Sequence, residues 1–596
     1  MLLLVLSACG PKSAGRPAGE GGAGDGGAAG GGHSPASDGG ARSGLRIDPM
    51  DQEVTVTDQP LVIEYKALLV ETATDVTAEA TWVLDDSRLG AFSGSRLTVA
   101  PMRAGKTTVR AGYRGASGMT TLTVRQQKVV LGPGATAGAP GRFGGGAVGP
   151  APTVVYPTDG VIVPQNMNLL ELHFRPGARQ DLFRLQLKND SAELDIYFSC
   201  MAVGGGCVYS PDEATWTLLA SGARGGTYRY TLAGVDPAGA IGTSPARSLA
   251  FSEEPITGGL YYWNAGGGRI QRYDFGLRTQ NAEAFLDPPR AGALACVGCH
   301  ALSRDGKKMA VGTDFPGIFK VFDVATRTSL YPGMPSASFY SFSPDATQLL
   351  AADGAAISLV DAMTGLPTSM PLLSPGTMPD WSPDGDHIVY TRPQTPPIFG
   401  VVPSVSDGSI ALVTRSGGGF GAPTILVPYA SGQNAFYPAF SPDGRLVAFN
   451  RSSGPSFSDN MPTMPTDKTV WIVGTAGGAP IRLGASTSED DSWPKWAPDV
   501  QRYRGGSLMW LTFSSRRAYG LRQSGTPQLW MTAIDPAKAA MGADPSAPAF
   551  WLPFQDPASG NHIAQWVTRV ERMDCTADAQ CPGEFCVMGK CLPAPG

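Results

Sequence analysis

The sequence predicts an all-β chain, and three observations carry that reading. Among 596 residues there are 77 Gly and 51 Pro, only 16% are charged, and a four-residue turn signature recurs through the second half. Turn residues at this density cut the chain into short β-branched and aromatic runs, and units repeating every 40 to 60 residues or so mark an arrayed or circular architecture. Long amphipathic helical periods are nearly absent. The length suffices for several separate cores. The formal net charge is -5 and Lys and Arg form no stripe, which excludes nucleic-acid binding, since phosphate recognition needs a concentrated basic face.

The opening run Met1-Leu2-Leu3-Leu4-Val5-Leu6-Ser7-Ala8-Cys9 is apolar and ends in a cysteine after two small residues. Leu6-Ser7-Ala8-Cys9 resembles a bacterial lipobox, although no positive stretch precedes the leucines. The resemblance implies that residues 1–9 are a signal remnant, that Cys9 is lipidated, and that Gly10 directs sorting to the outer membrane. No other run is long enough to span a bilayer. The expected location is the cell envelope, with the protein held on a membrane by lipid. Residues 10–44 are dominated by Gly, Ala and Ser and cannot bury enough apolar surface to order themselves, so they are read as a tether.

Residues 45–130 alternate as short strands, among them Leu61-Val62-Ile63-Glu64-Tyr65 and Thr120-Thr121-Leu122-Thr123-Val124, with Trp82 as a core candidate. The run from Asp75 to Trp82, with Ala104-Gly105-Lys106-Thr107-Thr108-Val109, resembles bacterial Ig-like domains, which implies a spacer or adhesion module. A Gly/Pro-rich segment, 131–150, is read as a linker. Residues 151–254 predict a second sandwich, loosely similar to a fibronectin type III domain, in which Cys200 and Cys207 close a disulfide across a hairpin.

From residue 255 to 570 the chain repeats. Ser303-Arg304-Asp305-Gly306, Ser343-Pro344-Asp345-Ala346, Ser382-Pro383-Asp384-Gly385, Ser441-Pro442-Asp443-Gly444 and Ala497-Pro498-Asp499-Val500 each follow an apolar residue and precede an apolar strand. Pro sets φ in such a turn, Asp can hydrogen-bond the backbone, and Gly accepts the positive φ that reverses the chain. The units resemble the TolB-type repeat, which implies a six-bladed β-propeller. Its last blade combines Leu260-Tyr261-Tyr262-Trp263 and Ile270-Gln271-Arg272-Tyr273 with the 550–570 region, so that no sheet edge is left open. The tail, 571–596, places Cys575, Cys581, Cys586 and Cys591 in 17 residues and resembles short Cys-rich repeats of secreted proteins, implying two disulfides of open connectivity rather than zinc.

Within the repeats lies Cys296-Val297-Gly298-Cys299-His300, a C-x-x-C-H spacing that suits haem c: two thiols for the vinyl groups and an imidazole for the iron. The alternatives are a short-loop disulfide between Cys296 and Cys299, free thiols, or another metal. If haem is present, His562 is the candidate second axial ligand because ring closure returns its segment beside the first blade, with Met309 as the alternative. The expected function is electron transfer or redox sensing, with a redox partner or another envelope protein. The competing expectation is a non-enzymatic scaffold that binds a protein or glycan, the C-x-x-C being structural. A hydrolase is disfavoured because no G-x-S-x-G elbow with a following catalytic domain is present.

Overall fold

The computed structural model describes residues 44–592, apart from segments at 57–60, 102, 278–280, 315–317, 336, 354, 369–371, 396–403, 457–466, 488, 523–524 and 582–583. Cys9 and the expected tether up to residue 43 therefore lie outside the described residues. The chain is nearly all β and divides into two compact units, one ending at Pro255 and one starting at Ile256.

In the first unit, the 16-residue strand Ala116–Leu131 joins what the sequence separates. Its first part pairs antiparallel with Gly105–Tyr113, and from Gln126 to Leu131 it pairs in parallel with Ala192–Ser199. One continuous sheet thus runs from Thr81–Leu84 across to Val161–Val163. Alternation explains the earlier half: Val109, Ala111, Leu122 and Val124 point inward to meet Leu97, Val99 and Tyr65 in one core. Trp82 is only half-buried and stacks on Phe92, with ring centroids 5.6 Å apart. The Gly/Pro-rich segment 131–150, read as a linker, is packed: Ala139 is buried beside Leu182, Tyr197 and Val235, and Arg142 bridges Asp181 at 2.8 Å. Apolar anchors in glycine-rich surroundings are easily overlooked, because the segment lacks any period. Cys200 and Cys207 are bonded, and their strands Met201–Val203 and Gly206–Tyr209 form the hairpin.

In the second unit, among the described residues, six sheets each begin with a strand near the axis: Asn561–Val567, Val297–Leu302, Phe339–Phe342, Thr377–Trp381, Asn434–Phe440 and Ser492–Tyr503. Each pairs antiparallel with the next strand outward, the arrangement of a six-bladed propeller. The ring closes where Asn561–Val567 pairs with Gly259–Asn264, setting His562 opposite Trp263 and Trp566 opposite Leu260. Phe550–Trp551, expected in the closing blade, instead edges the preceding one through Gln528–Ile534. The closing strand is therefore shorter than the 550–570 region, because two aromatic residues end the previous blade.

The tail is held against this unit. Cys575 bonds Cys586 and Cys581 bonds Cys591, which resolves the connectivity. Beside them Arg272, its side chain 1% exposed, pairs with Glu283 at 2.5 Å and with Glu584 of the tail at 3.6 Å, while Arg327 also meets Glu584. Arg572 reaches Glu283 at 3.0 Å and Asp274 at 3.2 Å. Burial alone would disfavour the Arg272 charge, but Tyr261 and Glu283 outweigh it and hold the guanidinium protonated. Breaking a buried pair leaves an uncompensated charge. Arg272→Ala is therefore expected to lower the stability of the full chain by about 3 kcal/mol, read as a shifted denaturant midpoint, whereas Arg96→Ala at an exposed pair with Glu64 should leave it nearly unchanged.

Candidate functional site

The recurring turn is built by serine as well as by the Asp and Gly that the sequence points to. Ser303, Ser343 and Ser441 donate Oγ–H to Asp305, Asp345 and Asp443 at 2.6, 2.6 and 2.5 Å, and Ser382 does the same to Asp384. Each serine Oγ also accepts the amide five residues on, as in Lys308 N to Ser303 Oγ at 2.9 Å. Gly306, Gly385 and Gly444 take φ of 77°, 78° and 69°, and Ala346 takes 55° in the third blade. The fifth copy departs from this pattern. Ala497-Pro498-Asp499-Val500 has neither Ser nor Gly and lies inside the long strand Ser492–Tyr503, with Asp499 accepting from Thr257 Oγ1 at 2.5 Å.

Four residues before each turn the axial strand does something the sequence does not announce. Cys299, Met378, Tyr437, Trp493 and Ile563 have φ of 49°, 50°, 53°, 54° and 55°, and at each the pairing register shifts by a bulge. Phe339 holds the corresponding place in the third blade, whose pairing is regular. A left-handed conformation costs an L-residue about 1–2 kcal/mol, so its recurrence needs a common cause. Bulges bend a strand and raise its twist, and five blades use one to turn the axial strand. Phe339, Met378, Tyr437, Trp493 and Ile563 then meet in a single buried cluster.

The C-x-x-C-H stretch is one instance of that device. Cys299 is the bulge residue and His300 takes the place that Pro379, Pro438 and Pro494 hold in other blades. Asp314 fixes the approach, its carboxylate accepting the amides of Leu294, Ala295 and Cys296 at 2.6, 2.8 and 3.1 Å. Cys296 is 6% exposed in the core between the first two blades and is not bonded to Cys299. Cys299 packs beside Tyr340 and Gly312. His300 is 1% exposed and makes at most a loose contact with the Tyr261 backbone. Covalent haem needs two available thiols and an imidazole open to the iron on the same side. In this fold Cys296 is buried in the blade core and the imidazole is enclosed by blade packing, so these residues do not fit that group. Met309 is buried in the same core.

His562 is also enclosed, between Trp493 and Trp263 with ring centroids 4.9 and 5.7 Å away. Its strand neighbours that of His300 around the ring, as expected, but the two rings have different charged surroundings. Lys495 acts on His300, whereas Arg516, Asp490 and Lys468 act on His562. Those last three form one ionic group, with Lys468 and Asp490 buried and Arg516 half-buried: Lys468 pairs with Asp490 at 2.8 Å and Arg516 with Asp490 at 3.1 Å.

At the turn end of the axis, the ring leaves a mouth of about 90 Å³ lined by Leu302, Arg304, Asp380, Lys495, Trp496 and Gln565, among others. Its walls are fixed from behind. Asp380 accepts the Phe440 amide at 2.6 Å, Trp496 donates to the Ala439 carbonyl at 3.1 Å, and Arg304 to the Pro498 carbonyl at 3.1 Å. The expected site residues Cys296, Cys299, His300 and His562 are not among its lining residues. The mouth gathers residues from stretches far apart in the chain, Arg304 and Ala497 for instance standing 193 positions apart, so spacing alone could not reveal it.

No protein-family model matches the chain, and a search of curated proteins returns no match. Among solved structures the chain is similar to a TolB-like protein from Agrobacterium tumefaciens, at 17% identity over 52% of this chain and 97% of that one, with a TM-score of 0.29. It is likewise similar to a chain of a nidogen/laminin complex, at 13% identity over 52% of this chain and 99% of that one, with a TM-score of 0.33. Likeness at this level concerns the fold alone, and the strand pairing itself defines the class: a β-propeller scaffold with a disulfide-bonded tail.

Burial pushes both His300 and His562 down to about 3, with Lys495 and Arg516 respectively adding to the effect. A histidine whose folded pKa lies below its unfolded one of about 6.5 stabilises the fold fully above that value. The contribution is lost as pH falls toward the folded pKa, at up to about 1.4 kcal/mol per pH unit. Unfolding measured from pH 6.5 to 5, above the range of ordinary carboxylates, should show stability falling on acidification. His562→Gln should remove about half of the slope that the two histidines contribute.

Proposed function

We propose that the chain is an extracytoplasmic, non-enzymatic binding scaffold, carried on the cell envelope by lipid at Cys9, whose propeller mouth receives a segment of a protein or glycan. The observation that carries this reading is the composition of the mouth: Arg304, Asp380, Lys495 and Gln565 set beside Trp496 and Trp566. Charged and amide groups orient a ligand there while indole faces supply desolvated contact area, the combination that interface anchors use. The lining includes no histidine or cysteine among the described residues, and its hydroxyl, Ser441, is engaged with Asp443 in the turn. Such a surface binds without offering an activated nucleophile. The three disulfides among the described residues, 200–207, 575–586 and 581–591, support an oxidising compartment.

The resemblances to an Ig-like and a fibronectin type III-like domain fit this reading, since such domains serve as spacers or adhesion modules. Electron transfer gains no support from the enclosed His300 and the buried Cys296. A photo-crosslinking residue at Gln565 in the full chain, expressed in its own envelope, should yield a discrete adduct that Arg304→Glu weakens at least fivefold. The same residue placed at Thr326, between the outer strands of the second blade, should yield none. Equal adducts from both positions, or none from Gln565, would contradict the proposal.

A further inference from the structure

The first unit contains a second recess, of about 320 Å³, where residues 86–89 and 103–106 of the earlier half meet the 189–191 and 221–227 segments of the later half. That volume falls in the range of small-ligand sites, roughly 300 to 1,000 Å³. Its lining has four cationic side chains, Arg88, Arg103, Lys106 and Arg224, against two acidic ones, Asp86 and Asp190. This is a local excess of positive charge in a chain whose net charge is -5.

The cations differ in how they are held. Arg88 is tied to Asp86, Nε to Oδ1 at 2.8 Å and Nη2 to Oδ2 at 2.5 Å. Arg103, Lys106 and Arg224 make no ion pair or side-chain hydrogen bond among the described residues. Arg224 feels Arg88 as a like charge and Asp86, Glu253 and Glu254 as opposite charges, none of them in ion-pair contact. The neutral polar walls are by contrast fully engaged: Asn189 donates to the Gly222 carbonyl at 2.8 Å and accepts the Ser191 amide at 2.8 Å, and Gln165 donates to the Ser252 carbonyl at 2.8 Å. A rigid recess with its cations still available is built to receive oxyanions, because a guanidinium presents paired N–H donors that match carboxylate, sulfate or phosphate.

We propose that this recess binds an acidic saccharide through Arg103 and Arg224, with Lys106 adding a third charge. Leu89 is the one large apolar side chain in the lining, so the recess lacks the hydrophobic subsites that a peptide or an acyl chain requires. A nucleic-acid backbone calls for an extended basic face, which this acidic chain does not carry. The inference stands apart from the propeller mouth, since its residues all belong to the other unit.

The test is titration of the full chain with oligogalacturonate, with a neutral oligoglucan of the same length and with single-stranded DNA. Saturable binding of oligogalacturonate is expected, falling steeply with salt and weakened at least tenfold in the double variant Arg103→Gln with Arg224→Gln, while the neutral glucan does not bind. Neither guanidinium supports the fold by a hydrogen bond, so the variant should keep the parent's unfolding midpoint. The variant Arg103→Lys with Arg224→Lys should recover part of the affinity. Unchanged affinity in the glutamine variant, equal binding of the neutral glucan, or DNA binding as tight as that of the acidic sugar would each overturn the proposal. Crosslinking from Gln565 would be unaffected by any of these results.

Discussion

The second unit depends on one strand pairing, that of Asn561–Val567 with Gly259–Asn264. A ring of sheets with an unpaired first or last strand would expose backbone donors and acceptors and invite association with another chain. Closing it with residues from both ends of the unit removes those edges and fixes where every other blade sits. Side chains reinforce the closure: Asn264 donates to Asn561 at 3.0 Å in a buried position, and Asn561 donates in turn to the Asp556 carbonyl at 2.8 Å. Buried amides satisfied in this way specify a register as well as stabilise it. The tail adds a second constraint, because its two disulfides present Glu584 to Arg272 and Arg327 at the outer side of the same blades.

From that closure follows the fate of the most conspicuous sequence motif. Each axial strand must bend as it passes the centre, and five of them do so with a left-handed residue at one common place. Cys299 is the residue that the second blade puts there, where other blades put Met378, Tyr437, Trp493 and Ile563. The spacing C-x-x-C-H is thus also the spacing between a buried core cysteine, a bulge and the strand that leaves it. A motif read from residue types alone cannot distinguish these cases, since the chemistry of haem attachment and the geometry of a bulge impose different conditions on the same five positions. Burial favours the second case, because His300 is 1% exposed within blade packing.

Much of the fold was legible because its signals are local. Turn chemistry marked Ser303 to Gly306 and its counterparts, and alternation marked strands such as Leu61–Glu64. The hairpin disulfide of Cys200 and Cys207 followed from seven residues of spacing and a glycine-rich turn. The features that escaped are non-local or lack periodicity. The parallel pairing of Gln126–Leu131 with Ala192–Tyr197 spans a segment whose glycines suggested a free linker. Ala497-Pro498-Asp499-Val500 kept two residues of the turn signature but not the serine and glycine that close it. The mouth and the cationic recess are assembled from distant residues and appear only once the chain has folded. His300 and His562 were picked out by residue type, and their strands do neighbour each other, but their enclosure is a property of packing that no spacing encodes.

We assign the Cys296 to His300 stretch to the propeller's own architecture rather than to a haem. The direct test is to express the full chain together with the machinery that attaches c-type haem, then record the visible absorption spectrum and intact mass of the purified protein. No Soret band and a mass without a haem adduct are expected. A Soret band accompanied by haem covalently bound through Cys296 and Cys299 would contradict the assignment.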